Sequence, residues 1–280
     1  MNRAPLHEIG AADRAAYERD GVVCLRRMFD RGWIDFMADA VAEAMAKPGP
    51  HGEQYTRPGN PGGFFGDLDM WQRLPSFRRF VFESPAAEIA ARVMGSVRVN
   101  LFYDQLLVKE PGTAERTPWH QDQPYWAVSG RQVCSIWLPF DPVPQETAVE
   151  YVRGSHAWNR TFLPYHFNDG SPYRERALEA MPDIDADRAA YDIVAYEMEP
   201  GDCLVFQAMI VHGAPGNTSM KHRRRALATR WTGDDARYCV HSGEVAIPTS
   251  DPGLEHGAMM DCALFPRVWP SSSISKADHP

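Results

Sequence analysis

The sequence predicts a mainly β protein of the sandwich or jelly-roll class, with α-helices flanking the strands. Two observations support this prediction. From residue 97 onward, six or more apolar and β-branched runs are bounded by Gly, Pro, Asp or Asn turn signals. Before residue 97, apolar residues recur instead at helical spacing. Many short strands with few crossover connections are typical of β folds that close on themselves.

The N-terminal part, about residues 11–95, contains the predicted helices. From Asp30 to Lys47 apolar residues recur three and four positions apart, and Asp30 is the predicted N-cap. The Gly- and Pro-rich residues 48–66 are predicted to be loop, and a loop of this length suggests a functional role. The other predicted helices are AADRAAYERD at 11–20, which precedes the strand-like VVCL, and residues 84–95.

The predicted jelly-roll core covers about residues 97–245. Its strands are VRVNLFYDQLLVK, QVCSIWLPF, AVEYVR, DIVAYEM, CLVFQAMIVH and RALATRW. The polar segment 163–192 interrupts them, contains a helix-like piece near 174–180, and is predicted to be a lid or an insertion. Residues 270–280 have little apolar content and are predicted to be a frayed tail. We expect a single domain over residues 1–280.

Composition and charge favour a globular protein that acts on a small molecule. The 280 residues are 44% hydrophobic and 24% charged, which are ordinary globular values. The net charge of -8 opposes binding to a phosphate backbone, so we expect no nucleic-acid partner. The sequence has no apolar leader and no run of about 18 apolar residues, so we expect no membrane partner and a cytoplasmic location. Oligomeric state is not predicted.

The cysteines indicate a reducing environment. They are widely spaced and form no C-x-x-C motif, so neither a disulfide framework nor a zinc ribbon fits. Buried reduced thiols are therefore expected at Cys24, Cys134, Cys203, Cys239 and Cys262.

Two histidines and an aspartate form a candidate metal site. His120 and Asp122 are two residues apart, and positions i and i+2 of an extended chain point to the same side. His212 is predicted at the end of the apolar strand CLVFQAMIV, where the following Gly and Pro permit a sharp turn. Two His and one Asp make a facial triad, which leaves adjacent octahedral positions open as ferrous oxygenases require. A His-x-Asp pair alone is weak evidence, because such pairs are common in ordinary structure.

An arginine cluster, Arg223 to Arg225, follows His212 and opens the next predicted strand. A guanidinium group offers two parallel donors that match a carboxylate. The cluster therefore suggests a site for the far carboxylate of a dicarboxylate co-substrate. The competing interpretation is a solvated basic turn.

Together, the segments HQDQPYW, HGAPGN and RRALATRW resemble the phytanoyl-CoA dioxygenase family. The resemblance extends to YERDGVVCLRRMFD near the N-terminus, to VKEPGTAERTPWHQD, and to VRGSH at 152–156, so it covers most of the chain. It implies a double-stranded β-helix, a cupin-like jelly roll, that uses iron(II), 2-oxoglutarate and dioxygen and releases succinate and carbon dioxide. It also implies metal-ligand roles for His120, Asp122 and His212.

The resemblance leaves two candidate arginines for 2-oxoglutarate. Family spacing from His212 gives Arg223, whereas alignment of the run RRALATRW gives Arg224. Strand alternation favours Arg224, because it places Arg224 on one face with the small residues Ala226 and Ala228 and puts Arg223 on the other face.

Other residues are expected near the co-substrate. Tyr103 and Gln105 share one face of the strand LFYDQLLVK and resemble pocket positions of the family, although a core-facing tyrosine is the competing interpretation. Trp137 is expected either to wall the pocket or to fill the core. If Arg224 faces the pocket, so does Arg230, which can then meet a polar or anionic substrate. Ala214 stands where relatives often carry a serine that hydrogen-bonds the co-substrate.

The expected function is hydroxylation, or a related oxidation, of an unactivated C–H bond in a small-molecule metabolite. Contacts with the substrate are expected in loop 51–66 and in segment 163–192, because function is often carried by loops on a constant fold. Three alternatives stay open. A halogenase is disfavoured because Asp122 occupies the position that a halide needs, a cupin-like binding protein would consume no oxygen, and a zinc hydrolase would leave the arginine cluster unexplained.

Overall fold

The computed structural model describes residues 1–174 and 177–270. Its helices are α1 Ala11–Asp20, α2 Arg31–Ala46, α3 Met70–Arg73, α4 Pro75–Glu83 and α5 Ala86–Met94. Its strands are β1 Val22–Leu25, β2 Glu53–Gln54, β3 Phe64–Leu68, β4 Val99–Lys109, β5 Thr117–His120, β6 Val128–Ser129, β7 Val133–Pro139, β8 Glu150–Val152, β9 Ile193–Ala195, β10 Cys203–Gln207, β11 His212–Ala214, β12 Arg224–Thr232, β13 Arg237–Tyr238 and β14 Arg267–Trp269.

The strands form two main antiparallel sheets. The larger sheet has the order β1-β10-β7-β12-β4-β3-β2, and β14 also pairs with β4. The smaller sheet has the order β5-β11-β8-β9, and β6 pairs with β13 in a separate ribbon. Most neighbouring strands of the two sheets are far apart in the sequence, which is the connectivity of a jelly roll rather than of a meander.

The larger sheet buries different side chains on its two faces. Strand β12 shows this directly, because Leu227 and Trp231 belong to the hydrophobic cluster formed with the helices, whereas Ala226 and Ala228 face the other way. That second face packs towards the smaller sheet together with Trp137 of β7. Side chains alternate along a strand, so one strand can support the helical layer and also line the space between the sheets.

Helix boundaries follow from local sequence. At the start of α2, Asp30 accepts a hydrogen bond from Trp33 N at 3.0 Å and so satisfies a backbone donor that the helix leaves free. The buried stripe that includes Met37 and Val41 then holds the helix against the core. Helix α5 ends at Gly95, whose φ of 63° lies in the left-handed region that glycine adopts without steric cost.

The predicted mainly β jelly roll with flanking helices is confirmed, as are α1, β1, α2 and α5. The prediction that residues 48–66 are all loop is wrong, because β2 and the first part of β3 lie within them. These strands extend the larger sheet through pairing of β3 with β4, a long-range contact that a Gly- and Pro-rich composition conceals.

Other fold predictions have mixed outcomes. The helix-like piece near 174–180 is wrong where the structure describes it, since Glu179 forms a bridge with Phe162 rather than a helical turn. Residues 175–176, and the predicted frayed tail beyond Pro270, lie outside the described residues. The five cysteines are free thiols, as predicted, but only Cys134 and Cys203 are buried, so the predicted burial of Cys24, Cys239 and Cys262 is wrong. No helix in the described part is long and apolar enough to cross a membrane. The single domain over 1–280 stays a prediction.

Candidate metal centre and co-substrate pocket

Sheet pairing brings the two candidate histidine ligands together. His120 is the last residue of β5 and lies directly opposite His212, the first residue of β11. Asp122 follows two residues later, with Oδ1 at 3.4 Å from His120 Nε2 and 3.8 Å from His212 Nε2. One ligand atom from each of the three residues lies within 4.8 Å of the others, so a single ion can contact all three.

Backbone carbonyl groups orient both imidazole rings. His120 Nδ1 lies 2.8 Å from Pro118 O, and His212 Nδ1 lies 3.1 Å from Ile210 O. A carbonyl oxygen only accepts hydrogen bonds, so each Nδ1 carries the proton and each Nε2 keeps its lone pair for a metal. Burial, and then the neighbouring His120, lower the pKa of His212 to about 3, so this ring is neutral near pH 7. Neutral imidazole is the form that binds metals.

The second oxygen of Asp122 has its own partners. Ser135 Oγ donates a hydrogen bond to Asp122 Oδ2 at 3.0 Å, and Arg230 Nη2 lies 3.9 Å from the same oxygen. Burial alone raises the pKa of Asp122, but His120, His212 and Arg230 together hold it well below its usual range. The carboxylate is therefore ionised, with Oδ1 free to bind a cation and Oδ2 held in place.

The chain forms this cluster by a different route from the predicted one. The extended His-x-Asp geometry is wrong, because β5 ends at His120 and Asp122 has φ -71° and ψ -47° at the start of a 3₁₀ turn. The apolar run CLVFQAMIV is also not one strand. Strand β10 ends at Gln207 in the larger sheet, and after a turn His212 begins β11 in the smaller sheet.

A cavity of about 260 Å³ lies next to the three candidate ligands, between the two sheets. Tyr103 and Gln105 of β4 line it, as predicted for this face of the strand. Trp137 also lines it while belonging to the core between the sheets, so both interpretations of this residue apply. Loop 51–66 and segment 163–192 both contribute to its wall, through Glu53, Tyr55, Phe64, Tyr165, His166, Phe167, Asn168 and Tyr173.

Arg224 lines this cavity and is 7% exposed. Its Nη1 donates to Thr147 O, and within residues 1–174 and 177–270 we find no carboxylate that pairs with it. Burial lowers the pKa of Arg224 to about 10, which reflects a cation without a counter-ion. Lys109, directly opposite in the pairing of β12 with β4, is also buried, and its Nζ donates to Pro215 O at 2.9 Å.

Arg223 and Arg225 occupy different surroundings. Arg223 is 45% exposed at its side chain and forms an ion pair with Glu110 at 3.1 Å. Arg225 forms a two-pronged pair with Asp141, with Nη2 at 2.7 Å and Nε at 3.0 Å from the carboxylate. Neither lines the cavity around the metal cluster, so Arg224 is the member of the predicted cluster that reaches it.

Several residues near the site were not identified from sequence. Ser135 had a detectable signal, because it is a polar residue in the apolar strand VCSIWLP and shares a face with Trp137. Tyr151 packs parallel to His212, with ring centroids 5.7 Å apart, and its strand β8 gave no such signal. Tyr55 lies in the segment predicted to be loop, where no periodicity assigns it to the cavity.

With this geometry in place, comparison with known proteins identifies the family. A sequence model of phytanoyl-CoA dioxygenase matches residues 17–226. The chain belongs to the phytanoyl-CoA dioxygenase family. The resemblance inferred from the motifs is thus confirmed. The chain is 28% identical over 166 residues to the multifunctional dioxygenase prhA of Penicillium brasilianum. The matched residues cover 55% of this chain and 50% of that relative. The chain therefore spans about half the length of that relative.

Other relatives match over more of their length. The ectoine dioxygenase of Sphingopyxis alaskensis is 22% identical over 239 residues, covering 81% of this chain and 76% of that protein. The structure of the non-haem α-ketoglutarate-dependent carbocyclase SnoK superposes with a TM-score of 0.74 at 22% identity, covering 96% of this chain and all of that one. The structure of EctD from S. alaskensis with 2-oxoglutarate and 5-hydroxyectoine has a TM-score of 0.65 at 20% identity. The match covers 88% of this chain and 87% of that one. These likenesses show a shared fold.

Proposed function

We propose that this family member is an iron(II)- and 2-oxoglutarate-dependent oxygenase that oxidises an unactivated C–H bond of a small molecule. One observation carries the proposal. Two imidazoles and a carboxylate that lie close enough to share one ion border the same cavity as Arg224, a buried guanidinium that has no carboxylate partner among the described residues. A cation site and an anion site in one pocket fit a metal together with a dicarboxylate.

His120, Asp122 and His212 would hold the iron through Nε2, Oδ1 and Nε2. This donor set suits a ferrous ion, because nitrogen and carboxylate ligands on one face of an octahedron leave three positions for other molecules. Iron, when bound together with 2-oxoglutarate and dioxygen, supplies the oxidising chemistry, and the co-substrate leaves as succinate and carbon dioxide. Ser135 and the two backbone carbonyls fix the ligand orientations, so little rearrangement is needed to bind the metal.

Arg224 would bind the carboxylate of 2-oxoglutarate that lies away from the metal. Burial makes such a pair strong, because few waters compete for the guanidinium donors. Tyr103 and Gln105 would line the same co-substrate. Ala214 also lines the cavity and has no hydroxyl, so the grip on this carboxylate depends on the arginine.

The remaining wall would enclose the primary substrate. Tyr125 and Phe167 pack edge to face, with ring centroids 5.9 Å apart, and Tyr173 contacts Tyr125 at 5.2 Å. These rings exclude water and offer apolar surface beside His120. The similar proteins include an ectoine dioxygenase and a carbocyclase from nogalamycin biosynthesis, so the family alone does not select the substrate.

The proposal is tested by anaerobic titration with iron(II) and then 2-oxoglutarate, followed by oxygen and a panel of metabolites. We expect one ferrous ion per chain and release of succinate. His120→Ala, Asp122→Ala and His212→Ala should each abolish release and retain the circular dichroism spectrum, whereas the exposed His222→Ala should behave like wild type.

Each alternative makes a different prediction in this experiment. Wild-type activity in all three ligand variants would remove the proposed centre. Zinc rather than iron in the active protein would indicate a hydrolase. Absence of oxygen consumption in the iron-loaded protein with 2-oxoglutarate and every metabolite would indicate a binding protein of the same fold.

A further inference from the structure

Arg230 is a second buried arginine of the cavity, and the proposed function gives it no role. It is 4% exposed and lines the cavity. Its Nη1 donates to Ala228 O at 3.0 Å, its Cζ lies 4.8 Å from the centroid of the Tyr103 ring, and its Nε has no hydrogen-bond partner in the described part of the chain. An unpartnered donor on a buried cation is costly, so the group is more stable when it binds an acceptor.

Arg230 and Arg224 lie at opposite ends of the inner face of β12. They are six residues apart on a strand that rises roughly 3.3 Å per residue, so their Cα atoms are separated by roughly 20 Å. A 2-oxoglutarate molecule that pairs with Arg224 extends from there towards the metal ligands. Arg230 lies beside the candidate ligand Asp122, with Nη2 at 3.9 Å from Oδ2, so the carboxylate that pairs with Arg224 does not reach it.

When the site holds iron and 2-oxoglutarate, the positive charge of Arg230 is left without a balancing negative charge. The two positive charges of iron and the one on Arg224 are cancelled by Asp122 and by the two carboxylates of 2-oxoglutarate. Burial lowers the pKa of Lys109 well below its usual range, which favours its neutral form. The other carboxylate of the cavity wall, among the described residues, is Glu53, which accepts a hydrogen bond from Asn168 at 2.9 Å.

We propose that Arg230 recognises a carboxylate, or a similarly compact single negative charge, on the primary substrate. The aromatic wall of Tyr125, Phe167 and Tyr173 would pack against the apolar body of the same molecule. This inference rests on the proposed function and narrows the class of primary substrate to monoanions with a largely apolar carbon skeleton. A neutral hydrocarbon would leave the buried Nε of Arg230 without an acceptor, and a dianion would introduce an unmatched negative charge.

The test uses matched pairs of probes that differ only in charge, namely 2-naphthoate with 2-naphthamide and cinnamate with cinnamamide. Binding is measured by calorimetry without oxygen, on protein loaded with iron(II) and saturating 2-oxoglutarate so that Arg224 is occupied. We expect wild type to bind each acid on the order of ten- to a hundredfold more tightly than its amide, as hydrogen bonds to charged groups allow.

Three variants assign that preference to a residue. Arg230→Gln keeps a polar side chain with N–H donors but loses the charge, so acids and amides should bind equally. Arg230→Lys should recover part of the preference. Arg223→Met, which changes an exposed arginine already paired with Glu110, should retain all of it.

Equal binding of acids and amides by wild type, or a preference that survives in Arg230→Gln, would overturn the inference. So would a loss of 2-oxoglutarate affinity in Arg230→Gln as large as that in Arg224→Met, because Arg230 would then serve the co-substrate. Failure of the proposed function is measured separately, because it would appear as the absence of succinate release. That result does not depend on how tightly the acid and amide probes bind.

Discussion

Replacing Arg224 should weaken 2-oxoglutarate binding far more than replacing its neighbour Arg223. Arg224 is 7% exposed and would be one partner of a buried ion pair, and removing one partner of such a pair costs about 3–5 kcal/mol. That cost corresponds to an increase in dissociation constant of roughly a hundredfold to a few thousandfold. Arg223 is 45% exposed and already paired with Glu110, and exposed pairs contribute about 0–1 kcal/mol. Its removal should change the constant by about fivefold at most.

The assay is anaerobic calorimetry of 2-oxoglutarate binding to iron-loaded Arg224→Met and Arg223→Met. Thermal unfolding of the ligand-free proteins distinguishes lost binding from lost structure. Burial lowers the pKa of Arg224, so its charge destabilises the fold until an anion binds, and Arg224→Met should unfold at or above the wild-type temperature without ligand. Equal losses of affinity in the two variants, or the reverse order, would refute the assignment of the co-substrate arginine.

Three further predictions concern other parts of the molecule. Ser135→Ala removes the hydrogen bond to Asp122 Oδ2 and should weaken iron binding about 10- to 100-fold in a chelator competition, so an unchanged affinity would exclude an orienting role. Burial, and then Asp69, raise the pKa of Asp104 to about 8, above the value near 4 of an unfolded aspartate, so wild type should lose stability as pH rises between these values. Asp104→Asn should therefore raise the thermal midpoint at pH 8 more than at pH 4, and equal shifts at both would contradict this. Chloride or bromide supplied with the true substrate should give no halogenated product by mass spectrometry, because Asp122 fills the position a halide would need.

The sequence was most informative where chemistry depends on residue type. Two histidines, one aspartate and an arginine cluster were recognisable without any structure, and strand alternation selected Arg224 as the member that reaches the cavity. Backbone conformation was less evident from the sequence. Asp122 was expected to be extended, although a 3₁₀ turn after β5 presents its carboxylate.

Long-range pairing explains what the sequence did not predict. The run from Cys203 to Val211 is apolar except for Gln207, and hydropathy does not show that the chain leaves one sheet at that residue and enters the other at His212. The short strand β3 depends in the same way on its pairing with β4. Tyr55 reaches the cavity through this part of the sheet, so its position could not be derived from local pattern.

The pairing of β5 with β11 also affects how such an enzyme can diversify. His120 and His212 are opposed residues of adjacent strands, so their separation depends on sheet register and not on the chain that joins them. That intervening chain includes segment 163–192, part of which forms the aromatic wall of the cavity. Insertions, deletions and substitutions there can reshape the space for a new compound while the proposed metal ligands keep their positions. One oxidising centre can in this way be inherited unchanged by enzymes with unrelated substrates.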